Sequence, residues 1–170
     1  MSAETFIYRP AIVSDIGAMA LLMERANAQR DEHPLPETVT DDAVLEDLRN
    51  RCTKAGAWTH VAADQHRLAG FALGYPYSRG DDEPVDPTRE YLSLLMIEPN
   101  YWGRGIGGML LDIAANSARQ ADKQQLLLWT RAEDNERARG LYERKGYSLT
   151  ERTRISQHGH GLQVQYALDL

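Results

Sequence analysis

The sequence predicts a mixed α/β chain of the α+β kind. About seven strands form a mostly antiparallel mixed sheet with helices on both faces, in the order β-α-α-β-β-β-α-β-α-β-β. Three observations carry this. YLSLLMI (91–97) and QLLLWT (125–130) are nearly continuous apolar runs, the pattern of strands buried on both faces. The helical stretch between them makes one strand-helix-strand unit. Around that unit lie β-prone segments joined by short turns, which read as hairpins.

In order, TFIYR alternates and is a short first strand that Pro10 ends. Ser14 is placed to cap a helix over about 15–29, with Ile16, Met19, Ala20, Met23 and Ala26 as its apolar stripe. A second helix runs over about 41–54 with Val44, Leu45 and Leu48 inward, and Gly56 breaks it. AWTHVAA (57–63) and RLAGFALGYPY (67–77) form a hairpin, and the central strand 91–97 follows. After a Gly-rich turn, MLLDIAANSARQA (109–121) is a helix and 125–130 a buried strand. Asp134 caps a helix to about Lys145, which Gly146 stops. YSLTERTRI and LQVQYALDL close the chain as a hairpin around QHGHG.

The 170 residues suit one domain, 1–170, and a domain of that size buries about 70% of its unfolded surface without needing a metal or disulfide. The single cysteine, Cys52, excludes an internal disulfide and a paired-thiolate zinc site, and on its helix it reads as packing. No apolar run approaches a membrane span, and MSAETFIYRP has no basic region followed by an apolar core, so a cytoplasmic protein is expected. A net charge of −6 lacks the basic footprint of nucleic-acid binding. Residues 31–42 hold five acids and no Lys or Arg, and residues 78–90 hold five acids against two Arg.

The informative stretch is Ile97 to Gly108, where a buried strand ends and four glycines in six residues open a helix. The first N–H groups of a helix lack internal partners and carry partial positive charge. Glycines let an anion approach them, and Arg104 adds a full charge. This composition suits a diphosphate cradle. Gly103, Gly105 and Gly108 formally match the dinucleotide fingerprint, but Pro99 to Trp102 separate them from the strand and the next strand ends without an acid.

On these residues the chain resembles the GNAT N-acetyltransferase superfamily. Ile97-x-Pro99 followed by Trp102-Gly103-Arg104-Gly105-Ile106-Gly107 is similar to that family's first signature, with Trp102 where the family usually has Gln or Arg. Asn135-x-x-Ala138-x-x-x-Tyr142-x-x-x-Gly146-Tyr147 resembles its later motif. Asn135 and Tyr142, seven apart, are expected on one helix face with Ala138 between them.

The resemblance implies acetyl-CoA as donor, no metal, and direct transfer of acetyl from thioester to amine through a tetrahedral intermediate. By position, the backbone of Leu95, Met96 and Ile97 would meet the pantetheine arm. Trp102, Gly103, Arg104, Gly105, Ile106 and Gly107 would hold the pyrophosphate, with Gly108 close by. Asn135 would contact the arm near sulfur, and Tyr142 would protonate the departing thiolate. The family's fold opens a gap between strands 91–97 and 125–130 for the cofactor. The base is undetermined: Glu90, Tyr91 and Ser93 stand at the entry of the central strand, Thr130 replaces a Glu found in some relatives, and His158 and His160 lie in the last hairpin. Glu90 is the first guess, against its reading as a solvated loop-end acid.

The acceptor is expected to be a small-molecule or peptide amine. The two acidic segments border the acceptor side in the family, and their charge suits a cationic amine. Family members are often dimers, so a homodimer is compatible with the resemblance. A CoA-binding sensor without turnover remains the alternative.

Overall fold

The computed structural model describes residues 5–80, 82–157 and 159–170. Seven strands and four helices appear in the expected order: β1 (Ile7–Pro10), α1 (Ile16–Arg30), α2 (Asp42–Cys52), β2 (Trp58–Ala63), β3 (Leu68–Pro76), β4 (Arg89–Ile97), α3 (Ile106–Gln120), β5 (Gln125–Arg131), α4 (Glu136–Arg144), β6 (Ser148–Ile155) and β7 (Leu162–Asp169). The strands are ordered β1-β2-β3-β4-β5-β7-β6 in one mixed sheet. β4 and β5 are parallel, whereas β1–β2, β5–β7 and β6–β7 are antiparallel.

The chain clusters into two compact units, one of residues 1–73 with 94–110, the other of residues 74–93 with 111–170. The first buries Met19, Leu22, Leu48, Val61, Phe71, Ile106 and Leu110. The second buries Leu92, Leu111, the Leu126–Leu128 run, Tyr142, Tyr147 and Tyr166.

Several boundaries move for local reasons. Asp15, not Ser14, closes the start of α1: its carboxylate accepts the Ile12 N–H at 2.8 Å and the Arg9 guanidinium at 2.7 and 2.9 Å. α3 begins at Ile106, three residues early, so Gly107 and Gly108 are helical. β4 begins at Arg89, which places Glu90 inside a strand. Asn135 rather than Asp134 is the N-cap of α4, because Asp134 takes φ 54°. Gly146 stops α4 as expected, with φ 88°. The Tyr147 N–H reaches the Tyr142 carbonyl and the Gly146 N–H the Glu143 carbonyl, both at 3.0 Å, in a Schellman ending.

Candidate active site

In the first unit, the segment after β4 folds on itself before the helix starts. A 3-10 turn covers Pro99–Tyr101, with Tyr101 N–H on the Glu98 carbonyl at 2.9 Å and Trp102 N–H on the Pro99 carbonyl at 3.1 Å. The Trp102 indole N–H donates to the Ile97 carbonyl at 2.9 Å, so Trp102 cinches the loop to the strand end. Gly103 and Gly105 then take φ 80° and 83°, the left-handed region that favours glycine.

The first helical hydrogen bond beyond this loop is Met109 N–H to the Gly105 carbonyl, at 3.1 Å. Among the described residues the N–H groups of Gly103, Gly105, Ile106, Gly107 and Gly108 have no hydrogen-bond acceptor. A Cβ built on Gly105 meets nothing within 4 Å, and residues 103–105 are exposed, so the loop is open at Gly105, while 106–108 are buried behind it. Arg104 is exposed, its guanidinium 5.0 Å from the Tyr101 ring centroid. A row of unpartnered donors at a helix start, with one cation beside it, suits an anion carrying several oxygens.

Two features that the sequence did not reveal hold this cradle. Gly70 on β3 faces the end of β4: an added Cβ would lie 2.8 Å from Ile97 Cδ1, 3.0 Å from the Met96 carbonyl oxygen and 3.2 Å from Ile106 Cγ2. Glu98, 5% exposed, receives Arg25 through Nε at 3.0 and 2.9 Å and through a terminal nitrogen at 2.7 Å, while Arg25 also donates to the Pro36 carbonyl at 2.9 Å. This ion pair ties α1 and the acidic 31–42 segment to the residue before Pro99.

The direction of the β4 backbone sorts the three residues expected at the pantetheine. Glu98 N–H donates to the Ala69 carbonyl at 2.9 Å, and the Met96 carbonyl also faces β3. Strand residues alternate sides, so Leu95 and Ile97 present their backbone groups away from β3 and Met96 does not.

In the second unit, the β4–β5 ladder runs from Arg89↔Gln125 to Leu92↔Leu128, while β5 continues to Arg131. At that end of β5 the Asn135 amide N–H donates to Thr130 Oγ1 at 2.6 Å. Asn135 is therefore not on the helical face with Tyr142 but at the cap, its side chain turned to the strand and its amide oxygen still available. Thr130, where a base is absent, is the anchor of Asn135.

Tyr142 is 8% exposed and packs on the rings of Tyr147 and Tyr166, with centroids 6.0 and 5.9 Å away. Burial, with smaller contributions from Tyr166 and Tyr91, pushes its phenol up to about 12. Its hydroxyl makes no hydrogen bond among the described residues.

Glu90 is 3% exposed, with Lys123 Nζ 3.8 Å from its carboxylate, so it is a buried, paired strand residue rather than a solvated loop-end acid. Ser93 Oγ accepts from the Tyr75 hydroxyl at 3.3 Å, and Tyr91 packs edge-on against Tyr75. Asp82 and Glu83 are exposed, whereas Asp81 and His158 lie outside the described residues. Cys52 Sγ lies 3.7 Å from Thr59 Oγ1 at the end of α2. Among the described residues no group of three or more His, Cys, Asp or Glu could hold a metal, and no helix is long and apolar enough to cross a membrane.

Residues 22–147 match the sequence model of the Acetyltransferase (GNAT) family. The chain belongs to this family. A protein named as an N-acetyltransferase of Mycobacterium tuberculosis is 40% identical over 109 residues, covering 64% of this chain and 58% of its own length. The mycothiol acetyltransferase of Propionibacterium freudenreichii is 32% identical over 109 residues, covering 62% of this chain and 33% of its own. The chain thus spans between a third and somewhat over half of these curated relatives. A Salmonella typhimurium protein named as an acetyltransferase and solved with its cofactor acetyl-CoA superposes with TM-score 0.70 at 18% identity, covering 97% of this chain and 94% of that one. This GNAT likeness extends to the whole fold, and the family match includes both the glycine loop and the Asn135–Tyr147 motif.

Proposed function

We propose that residues 1–170 act as one N-acetyltransferase domain that moves an acetyl group from acetyl-CoA to a primary amine. The observation that carries this reading is the row of N–H groups at Gly103, Gly105, Ile106, Gly107 and Gly108 that no acceptor among the described residues takes, with open space at Gly105. Those donors and Arg104 would hold the pyrophosphate. The backbone of Leu95 and Ile97 would meet the pantetheine amides, and the Asn135 oxygen, steered by Thr130, would accept from the same arm. Trp102 serves the loop's shape and gives its N–H to Ile97 rather than to a ligand. When bound, acetyl-CoA supplies the activated thioester.

Tyr142 donates to the sulfur as negative charge builds there. With the phenol at about 12 and a thiol near 8.5, complete proton transfer is uphill by about 5 kcal/mol. Tyr142 therefore works mainly as a hydrogen-bond donor in a dry site, where such a bond is stronger than in water. Tyr75 and Ser93, already joined by a hydroxyl–hydroxyl bond, are assigned to hold the water that takes the amine's proton.

Thermal melting with acetyl-CoA and with NAD tests the donor. A ligand at 100 times its Kd stabilises by about 2.7 kcal/mol, so acetyl-CoA raises Tm and NAD leaves it unchanged. Thiol release with a panel of amines tests turnover. A melting shift without any thiol release would support the sensor reading instead.

A further inference from the structure

A cavity of about 160 Å³ opens in the second unit, lined in part by the aromatic rings of Tyr77, Tyr91 and Trp129 and by Arg79, Arg152 and Arg154. None of the residues lining it is acidic. The Arg152 guanidinium donates to the Tyr77 hydroxyl at 2.9 Å and lies 6.0 Å from the Trp129 ring centroid. Arg154 lies over the same ring, 4.5 Å from the centroid, and donates to Gln163 Oε1 at 2.7 Å. Among the described residues none of the three arginines has a carboxylate partner. In a chain of net charge −6, three cations gathered at one cavity without an acid leave a positive field for a ligand to neutralise.

The backbone is built to put Arg152 there. β6 pairs with β7 as Leu149↔Tyr166 and then as Thr153↔Val164, so three residues of β6, Thr150 to Arg152, stand opposite the single residue Gln165. Such a bulge bends the strand and re-aims its side chains. Thr150 fixes it, with its Oγ1 accepting from the Arg152 N–H at 3.2 Å and donating to Gln165 Oε1 at 3.2 Å. Gln165 faces Trp129 across the β5–β7 ladder, so the two side chains share one face of the sheet. Gln165 is 3% exposed, yet its Nε2 has no partner, a buried donor on the face of the cation cluster.

We propose that this cavity takes the acceptor, and that the acceptor is a small amine that also carries a carboxylate and an apolar or aromatic body. The inference rests on the acetyltransferase reading above. Forked guanidinium donors match a carboxylate, and the three rings suit a flat apolar group. The acidic segments by themselves suit a cationic amine, but they contribute only Ser78 and Arg79 to this cavity and none of their carboxylates. In the reaction the amine lone pair forms the N–C bond while the C–S bond breaks with its electrons on sulfur. One N–H proton ends on that sulfur, giving an amide and a free thiol.

The test uses the full chain with acetyl-CoA in a thiol-release assay. The acceptors are the common L-amino acids, their carboxamides, phosphoethanolamine, spermidine and kanamycin. At least one apolar or aromatic amino acid is expected to exceed its own carboxamide, and the polyamine and aminoglycoside, by at least 10-fold in kcat/KM. Arg152→Gln and Arg154→Gln raise KM for the acid at least 10-fold and not for the carboxamide. Calorimetric titration of that amino acid into CoA-saturated protein shows the same loss, with the acetyl-CoA melting shift intact. Should Arg152→Gln fail to fold, Arg79→Gln on the exposed loop takes its place.

Equal use of acid and carboxamide, preference for phosphoethanolamine or spermidine, or no acceptor among the amino acids overturns the inference while acetyl-CoA still shifts the melt. Absence of that melting shift overturns the acetyltransferase reading and this inference together.

Discussion

Gly105→Ala adds one methyl group where φ is 83° and where nothing lies within 4 Å of the new carbon. The empty protein therefore meets no clash, only left-handed backbone strain of about 1–2 kcal/mol for an L-residue. For a chain of this size about 1 kcal/mol moves Tm by roughly 2–4 °C, so the variant melts roughly 2–8 °C lower. The methyl group also stands in front of donors meant for phosphate. Losing one charge-assisted hydrogen bond, about 1.5–3 kcal/mol, weakens acetyl-CoA binding at least about 10-fold. At a concentration 100 times the wild-type Kd, the ligand's stabilisation falls from about 2.7 to about 1.4 kcal/mol or less. Gly161→Ala is the matched control: φ is 69°, nothing lies within 4 Å of the new carbon, and the position is in the β6–β7 turn. It carries the same strain and keeps the full ligand shift. Differential scanning fluorimetry reads both quantities. A full acetyl-CoA shift in Gly105→Ala, or an equal loss in Gly161→Ala, refutes the cradle.

Tyr142→Phe removes a hydroxyl that makes no hydrogen bond among the described residues, so Tm holds while thiol release falls about 10²–10³-fold. The raised phenol also sets an alkaline limit. Its contribution to stability is complete below pH 10 and is lost as pH rises from 10 to 12, a loss of roughly 2–3 kcal/mol at most, which alkaline melting of wild type against Tyr142→Phe detects. Arg25→Ala strands the buried Glu98 carboxylate and lowers stability by about 3–5 kcal/mol, measured by urea unfolding; a loss below about 1 kcal/mol contradicts the tie. Thr130→Val frees the Asn135 amide, raising the acetyl-CoA Kd severalfold in calorimetry with little change in Tm; an unchanged Kd denies Thr130 its positioning part.

The glycine loop was legible because its logic is local: a strand end, glycines and a helix start within twelve residues. Element order was legible for the same reason, since each period and turn is written in neighbouring residues. The supports of the loop were not. Arg25 and Glu98 are 73 positions apart, and only the folded chain brings them together. Gly70 lies in an apolar strand where nothing marks it as the point at which Ile97 and Ile106 close in. The sequence does not say which strand edge Leu95, Met96 and Ile97 each face, so the turn of Met96 toward β3 has no sequence signal. The seven-residue spacing of Asn135 and Tyr142 suggests one helix face, whereas the turn of Asn135 toward Thr130 depends on where β5 ends. The arginine-lined cavity was hidden for a subtler reason. TERTR alternates no apolar residues, so neither the bulge nor the direction of Arg152 has a periodic signal.

The cinching of Ile97 by the Trp102 indole has a thermodynamic corollary. A loop whose shape is secured by its own side chain has already surrendered most of its freedom before any ligand arrives. Association should then proceed as rigid docking, with a modest entropic penalty and a rate set by diffusion and charge rather than by loop rearrangement. Trp102→Phe keeps the ring but deletes the tether, and so should turn the same encounter into a slower, entropically costlier one.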